Sequence, residues 1–252
     1  MEFSPGFSGD SDRIKTSMVS LKTLLLCASA AVLLLGQESR VFEVRHAPGD
    51  IAPETDPNSQ FWRGAAAIIA ERDPFGKIVP GHRTEVRSRW AKQNLYFLFI
   101  CPYERLNLKS HPRFDVETNQ LWNWDVAEVF IGSDFQNIRR YKEFEVSPQG
   151  EWVDLDINLH SPHHEDGWKW NSGFEVLARI DEQKHVWYAA MRIPFSAIDS
   201  RPPGAGNVLR LNLFRSGGPP ERPYGLAWQP PMSKSFHTPA RFGLLKLVGR
   251  RE

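Results

Sequence analysis

The sequence predicts an all-β protein: an antiparallel β-sandwich of jelly-roll type, with about ten strands and only short helical turns. Three observations predict it. Apolar and polar residues alternate with period two along much of the chain after residue 40. Clusters rich in Pro and Gly break that pattern at short intervals; with 19 Pro and 18 Gly the chain is too heavily punctuated for a helix bundle. The predicted strands also follow one another without intervening helices, so a parallel β-α architecture has no sequence support.

Taken in order, the predicted strands begin with residues 41–47 and 84–90, the latter alternating as TEVRSRW. Residues 95–101 and 126–131 are continuous apolar runs, the reading for strands covered on both faces. Residues 141–147 alternate. So do 152–158, where Val153, Leu155 and Ile157 share one face, and Asp154 and Asp156 share another that reads as solvated. Residues 174–180 and 186–193 follow. Then come 208–215, with Leu209, Leu211 and Leu213 opposite Arg210 and Asn212, and finally 242–248. Only residues 61–72 and 194–199 read as helical. Trp90 and Trp187 fall within strands and are expected in the core, as is the small hydrophobe Cys101.

The 252 residues carry 31 basic and 30 acidic side chains, a formal charge of +1, so no global field directs the protein to nucleic acid. At 41% hydrophobic and 12% aromatic content the chain is not disordered. Two Cys cannot form a disulfide framework. Residues 1–39 read as an address. Lys22 precedes the apolar run TLLLCASAAVLLL, and a small-polar exit ends at Ser39, the pattern of a secretory signal peptide beginning at Met18. The run is too short for a membrane span of roughly 20 residues, so no stable membrane insertion is expected. Residues 1–17 read as an over-called extension. Cys27 follows three leucines, which disfavours a lipoprotein. Residues 40–252 are expected to form a single domain, secreted or periplasmic.

Several segments occur in a set order: DPNSQFW (56–62), TEVR (84–87), LWNWDVAEVFI (121–131), YKEFEVSP (141–148), then Trp187, Trp228 and FHTPARFG (236–243). This set resembles the family 9 carbohydrate-binding modules over residues 41–248. The resemblance implies a β-sandwich that binds sugar between two aromatic side chains without transforming it, with structural calcium in some members. It matches the first stacking aromatic to Trp122, the second to Phe236 in place of the usual Trp, and the strand acid to Glu128. Glu143, Glu145 and Ser147 fall on the next strand's contact positions, with Glu145 where such members can carry a basic donor.

The residues themselves suit a sugar. Aromatic faces pack on C–H patches while carboxylates and Arg bracket hydroxyls. Trp122, Trp124, Trp228 and Phe236 lie in or beside turn-rich stretches, and Glu128, Glu143 and Arg241 are candidate polar contacts. Three further readings stay open. Oxygen ligands for calcium are offered by Asp115, Glu117 and Asp125, by family analogy only. His160, His163, His164, Glu165 and Asp166 offer a zinc or copper set that matches no established spacing. Asp125, Glu128, Glu143 and Glu145 offer carboxylate pairs for glycoside hydrolysis, while a haem-holding DOMON-type sandwich would draw on Met191, Met232 or His237. The sequence contains neither G-x-S-x-G nor H-E-x-x-H.

Overall fold

The structure, a computed structural model, describes residues 40–250; the signal-peptide segment lies outside them. The expected strands are present as β1 (Val41–His46), β3 (Thr84–Trp90), β4 (Asn94–Pro102), β5 (Val126–Gly132), β6 (Arg140–Val146), β7 (Trp152–Asn158), β8 (Glu175–Asp181), β9 (Val186–Pro194), β10 (Val208–Gly217) and β12 (Gly243–Val248). Two more, β2 (Ala66–Ala70) and β11 (Tyr224–Ala227), complete twelve. A four-residue helix α1 (Phe195–Ile198) stands where a helical turn was expected and plugs Phe195 and Ile198 into the core.

β2 corrects the helical reading of residues 61–72. One turn forms, with Arg63 N donating to Ser59 O at 3.0 Å. Gly64 then adopts a φ of 69°, which ends it. Ile68 and Ile69 pair with Val86 and Glu85 on β3, where β-branched side chains fit the pleat.

The strands form one sheet in the order β7-β6-β5-β10-β12-β1-β3-β4-β9-β8, with β11 pairing β10 and β2 pairing β3. The all-β expectation matches; the antiparallel expectation does not, because the sheet is mixed. β1 runs parallel to both β12 and β3, which joins the first strand to the last.

The two halves of this sheet face each other across one apolar cluster. It takes Val129 and Phe144 from one half and Phe97, Phe99 and Met191 from the other. Trp90, Trp187 and Cys101 are in it, as expected. Arg215 of β10 ties the halves together from within: fully buried, it donates through Nη1 to Thr84 Oγ1 at 3.1 Å and Pro102 O at 2.7 Å. The acids of β7 depart from the solvated reading. Asp154 is 1% exposed and accepts from the amide and hydroxyl of Ser172, while Asp156 pairs with Lys142 at 2.7 Å. Their face looks toward Trp170 and Phe174, so Val153, Leu155 and Ile157 form the outer face of this half, where the site lies.

Candidate functional site

On the outer face of β5, β6, β7 and β10, a second apolar cluster holds Phe130, Tyr141, Leu155, Ile157 and Phe214. Register sets the pattern. Glu128 on β5 sits opposite Glu145 on β6 and Phe214 on β10, and Phe130 sits opposite Glu143. Period-two alternation then brings Glu128, Glu143 and Glu145 to one face of adjacent strands. All three are at most 3% exposed, and one carboxylate oxygen of each lies within 4.8 Å of the others.

A groove of about 290 Å³ opens over this face. Phe130, Leu155 and Ile157 make its apolar floor, Glu128 and Glu143 its acid floor, and Trp122 and Phe236 its aromatic lining. Trp122 is carried on the 3-10 turn Leu121–Asn123 that precedes β5. Leu121 is fully buried and pins that turn to the cluster; Trp122, one residue on, is only half-buried and turns to the groove. Phe236 rides the loop after β11 and stacks on Phe214 with ring centroids 4.2 Å apart and planes within 8°. Gly225 makes that seat: a Cβ there would come within 2.8 Å of the Phe236 ring.

Burial and mutual repulsion govern the acids. Glu128 is pushed up to about 8, first by burial and then by Glu143, although its Oε1 accepts from Ser216 Oγ at 2.9 Å. Burial raises Glu143 to about 7. Glu145, buried beside both, is raised well above the usual carboxylate range. His237, at the groove's edge, is lowered to about 4 by burial and by neighbouring His164, so it is neutral at pH 7. Tyr141 Oη lies 2.6 Å from its Nδ1, a hydrogen bond whose direction the ring's tautomer sets.

Four of the sequence-predicted site residues thus line one groove: Trp122, Phe236, Glu128 and Glu143. Three do not. Trp228 is 3% exposed and belongs to the interior: its ring lies 6.3 Å from Phe42, and a Cβ on Gly243 would meet it at 2.6 Å. Its amide donates to Leu213 O at 2.9 Å, which turns the indole inward from a stretch that only looks like loop. Trp124 packs at the margin of the outer cluster, with Lys109 Nζ 5.9 Å from its ring centre. Arg241 sits exposed on the 3-10 turn Pro239–Arg241. Sequence reading missed Ser216, Lys234 and His164 as lining. Ser216 and Lys234 occupy turn-like stretches without a distinguishing pattern, and His164 was read only as a metal ligand.

The alternative sets do not converge. Asp115 pairs with Arg113 at 2.5 Å; Asp125 accepts from Gly218 N at 2.8 Å and lies near Arg215; Glu117 is raised to about 7 by burial and by Asp154. These three make no calcium cage. Among the described residues, the only cluster able to offer a metal three acidic or His ligands is Glu128, Glu143 and Glu145, so the His-rich loop makes none. For haem, Met191 is fully buried in the core, and Met232, 51% exposed, does not line the groove with His237. A larger cleft of about 760 Å³ lies at His82, Glu104, Arg105 and Tyr224. Its charges are already paired, Arg222 with Glu104 at 3.2 Å and Arg105 with Glu221, and its two rings stack on each other at 4.0 Å. It therefore offers a ligand less free aromatic surface.

Comparison with known proteins gives the family and the fold. Residues 59–250 match the family model described as carbohydrate family 9 binding domain-like. A protein of Arthroderma benhamiae named "Extracellular protein" is 25% identical over 171 residues, 63% of this chain and 71% of its own. A family 9 carbohydrate-binding module of Caldicellulosiruptor kristjanssonii in complex with cellotriose superposes with a TM-score of 0.60 at 14% identity, covering 84% of this chain and 95% of its own. The glucose complex of a module from that organism gives 0.60 at 13% identity, over 83% and 97%. A candidate carbohydrate-binding protein of Bacteroides uniformis gives 0.63 at 16%, over 83% and 100%.

Proposed function

The chain belongs to the carbohydrate family 9 binding domain-like family, and from that premise we propose that it is a secreted, non-catalytic carbohydrate-binding protein whose single domain, residues 40–252, holds a sugar in the groove between Trp122 and Phe236. One observation carries the reading: two aromatic side chains on separate loops line one groove with two buried carboxyls, Glu128 and Glu143, on its floor. A pyranose presents C–H faces for the rings and hydroxyls for the acids, and each unmet need is costly on either side. Cellotriose and glucose in the similar modules support a sugar of that size. Export is supported by the name of the fungal relative and by the signal-like segment from Met18 to Ser39.

The carboxyls argue against hydrolysis. Glycoside hydrolysis needs two acids with separate roles flanking the scissile bond, one protonated and one ionised. Here the three share adjacent strands on one floor, their nearest oxygens within 4.8 Å, and burial raises all three together. Neither a distinct acid nor a distinct base emerges.

Titration of the full chain with cellotriose and xylan fragments, with and without calcium, tests the reading. Binding in the range of about micromolar to millimolar, −8 to −4 kcal/mol, and no new reducing ends are expected. Release of reducing ends would contradict it, and so would failure to bind any sugar.

A further inference from the structure

The groove floor carries a charge demand that its own residues leave unmet. Glu128 and Glu143 line it, with fully buried Glu145 beside them. Ser216 Oγ satisfies Glu128 Oε1, but no other residue donates to either oxygen of Glu145 or to Oε2 of Glu143, which have only each other's carboxyl to share a proton with. Among the described residues no cation pairs with any of the three. Lys142, between Glu143 and Tyr141 on β6, points to the other face and is held by Asp156 at 2.7 Å. Arg215 on β10 also points to the other face, to Thr84 and Pro102. β7 presents only Val153, Leu155 and Ile157 here. At the edge, neutral His237 is engaged by Tyr141. His164 lies against Glu165, a further acid, and Lys234 is the one permanent cation lining the groove.

Resting on the carbohydrate reading, we propose that the groove selects a sugar bearing a free primary amine, a hexosamine unit of a deacetylated polysaccharide, whose ammonium docks on Glu128 and Glu143 with Glu145 behind them. An ammonium is a compact charge with three donors and no acceptor; on docking it displaces the protons that burial keeps on the acids and meets closely spaced carboxylate oxygens to which no other residue donates. Charge-assisted hydrogen bonds in a site screened from water are the strong kind. An N-acetyl group would replace that charge with a bulkier neutral amide, and a hydroxyl would bring a single donor. A divalent cation fits less well. Calcium takes 6–8 oxygen ligands, and beyond the three carboxyls this floor offers the Ser216 hydroxyl among Phe130, Leu155 and Ile157.

The test is calorimetric titration of the full chain in EDTA near pH 5.5, low enough to keep most of an amino-sugar amine protonated, with trimers of glucosamine, N-acetylglucosamine and glucose. The glucosamine trimer is expected to bind at least about tenfold more tightly than either other. Glu143→Gln, and independently Glu128→Gln, should cut that preference to under about threefold, each relieving repulsion rather than breaking the fold. Equal affinity for all three trimers overturns the amine proposal and leaves the carbohydrate reading intact. Binding that appears only when calcium replaces EDTA overturns it in favour of a metal. Binding of none overturns both.

Discussion

Trp122→Ala is expected to weaken sugar binding by about 30-fold or more while leaving the melting temperature within about 4 °C of the parent. The indole is half-buried, and its turn is anchored by Leu121, which the substitution leaves in place. A ligand ring covering roughly 80 Å² of that indole gains about 2 kcal/mol at 25 cal/mol per Å², which converts to about 30-fold. Trp228→Ala should do the reverse. Its ring fills the interior between Phe42 and Gly243, so truncation costs about 3–5 kcal/mol and lowers the melting temperature by roughly 10 °C. Isothermal titration and differential scanning calorimetry on both variants separate the two roles. A large stability loss from Trp122→Ala with undiminished binding would return that residue to the core.

Glu145→Gln is expected to stabilise the protein at alkaline pH and to do little in acid. A buried carboxyl raised above its unfolded value keeps its proton in the folded state while the unfolded chain has released it. Stability from such groups is fully present below the unfolded value near 4.5 and is lost as pH rises through the folded values, about 7 for Glu143 and about 8 for Glu128. Removing one acid relieves the other two, so the melting temperature at pH 8 should rise by about 3–8 °C, against under about 2 °C at pH 4.5. His237 acts in the opposite sense. Lowered from 6.5 to about 4, it contributes stability above pH 6.5 that is lost as pH falls through 4. Because it is unchanged in the variant, the difference between the two melting profiles isolates the acid cluster. A flat difference across pH would mean that Glu145 titrates alike in the folded and unfolded chain, contradicting its burial in an acid cluster.

Much of this was legible from residues alone. Alternation along residues 152–158 assigned Leu155 and Ile157 to one face, and that face is the groove floor. What escaped depended on pairing between distant segments. β1 alternates identically whether its neighbours run parallel or not; its direction is fixed by β12, some 200 residues on. Ala-rich Ala66–Ala70 reads as helix until β3 supplies its partner. Register explains the acids too. Glu143 and Glu145 visibly share a face of β6, but only the pairing of Glu128 with Glu145 closes the cluster. Trp228 misleads because Pro230 and Pro231 give it a loop-like context, while its amide belongs to the edge of β10. Arg241 misleads similarly, since a single 3-10 turn decides that it faces solvent.

The most direct measurement is a crystal structure of the protein soaked with cellotriose. One pyranose is expected in contact with both Trp122 and Phe236, with a hydroxyl within hydrogen-bond distance of Glu128 or Glu143. Sugar density in the larger cleft beside His82 and Tyr224, with the Trp122 groove empty, would contradict it.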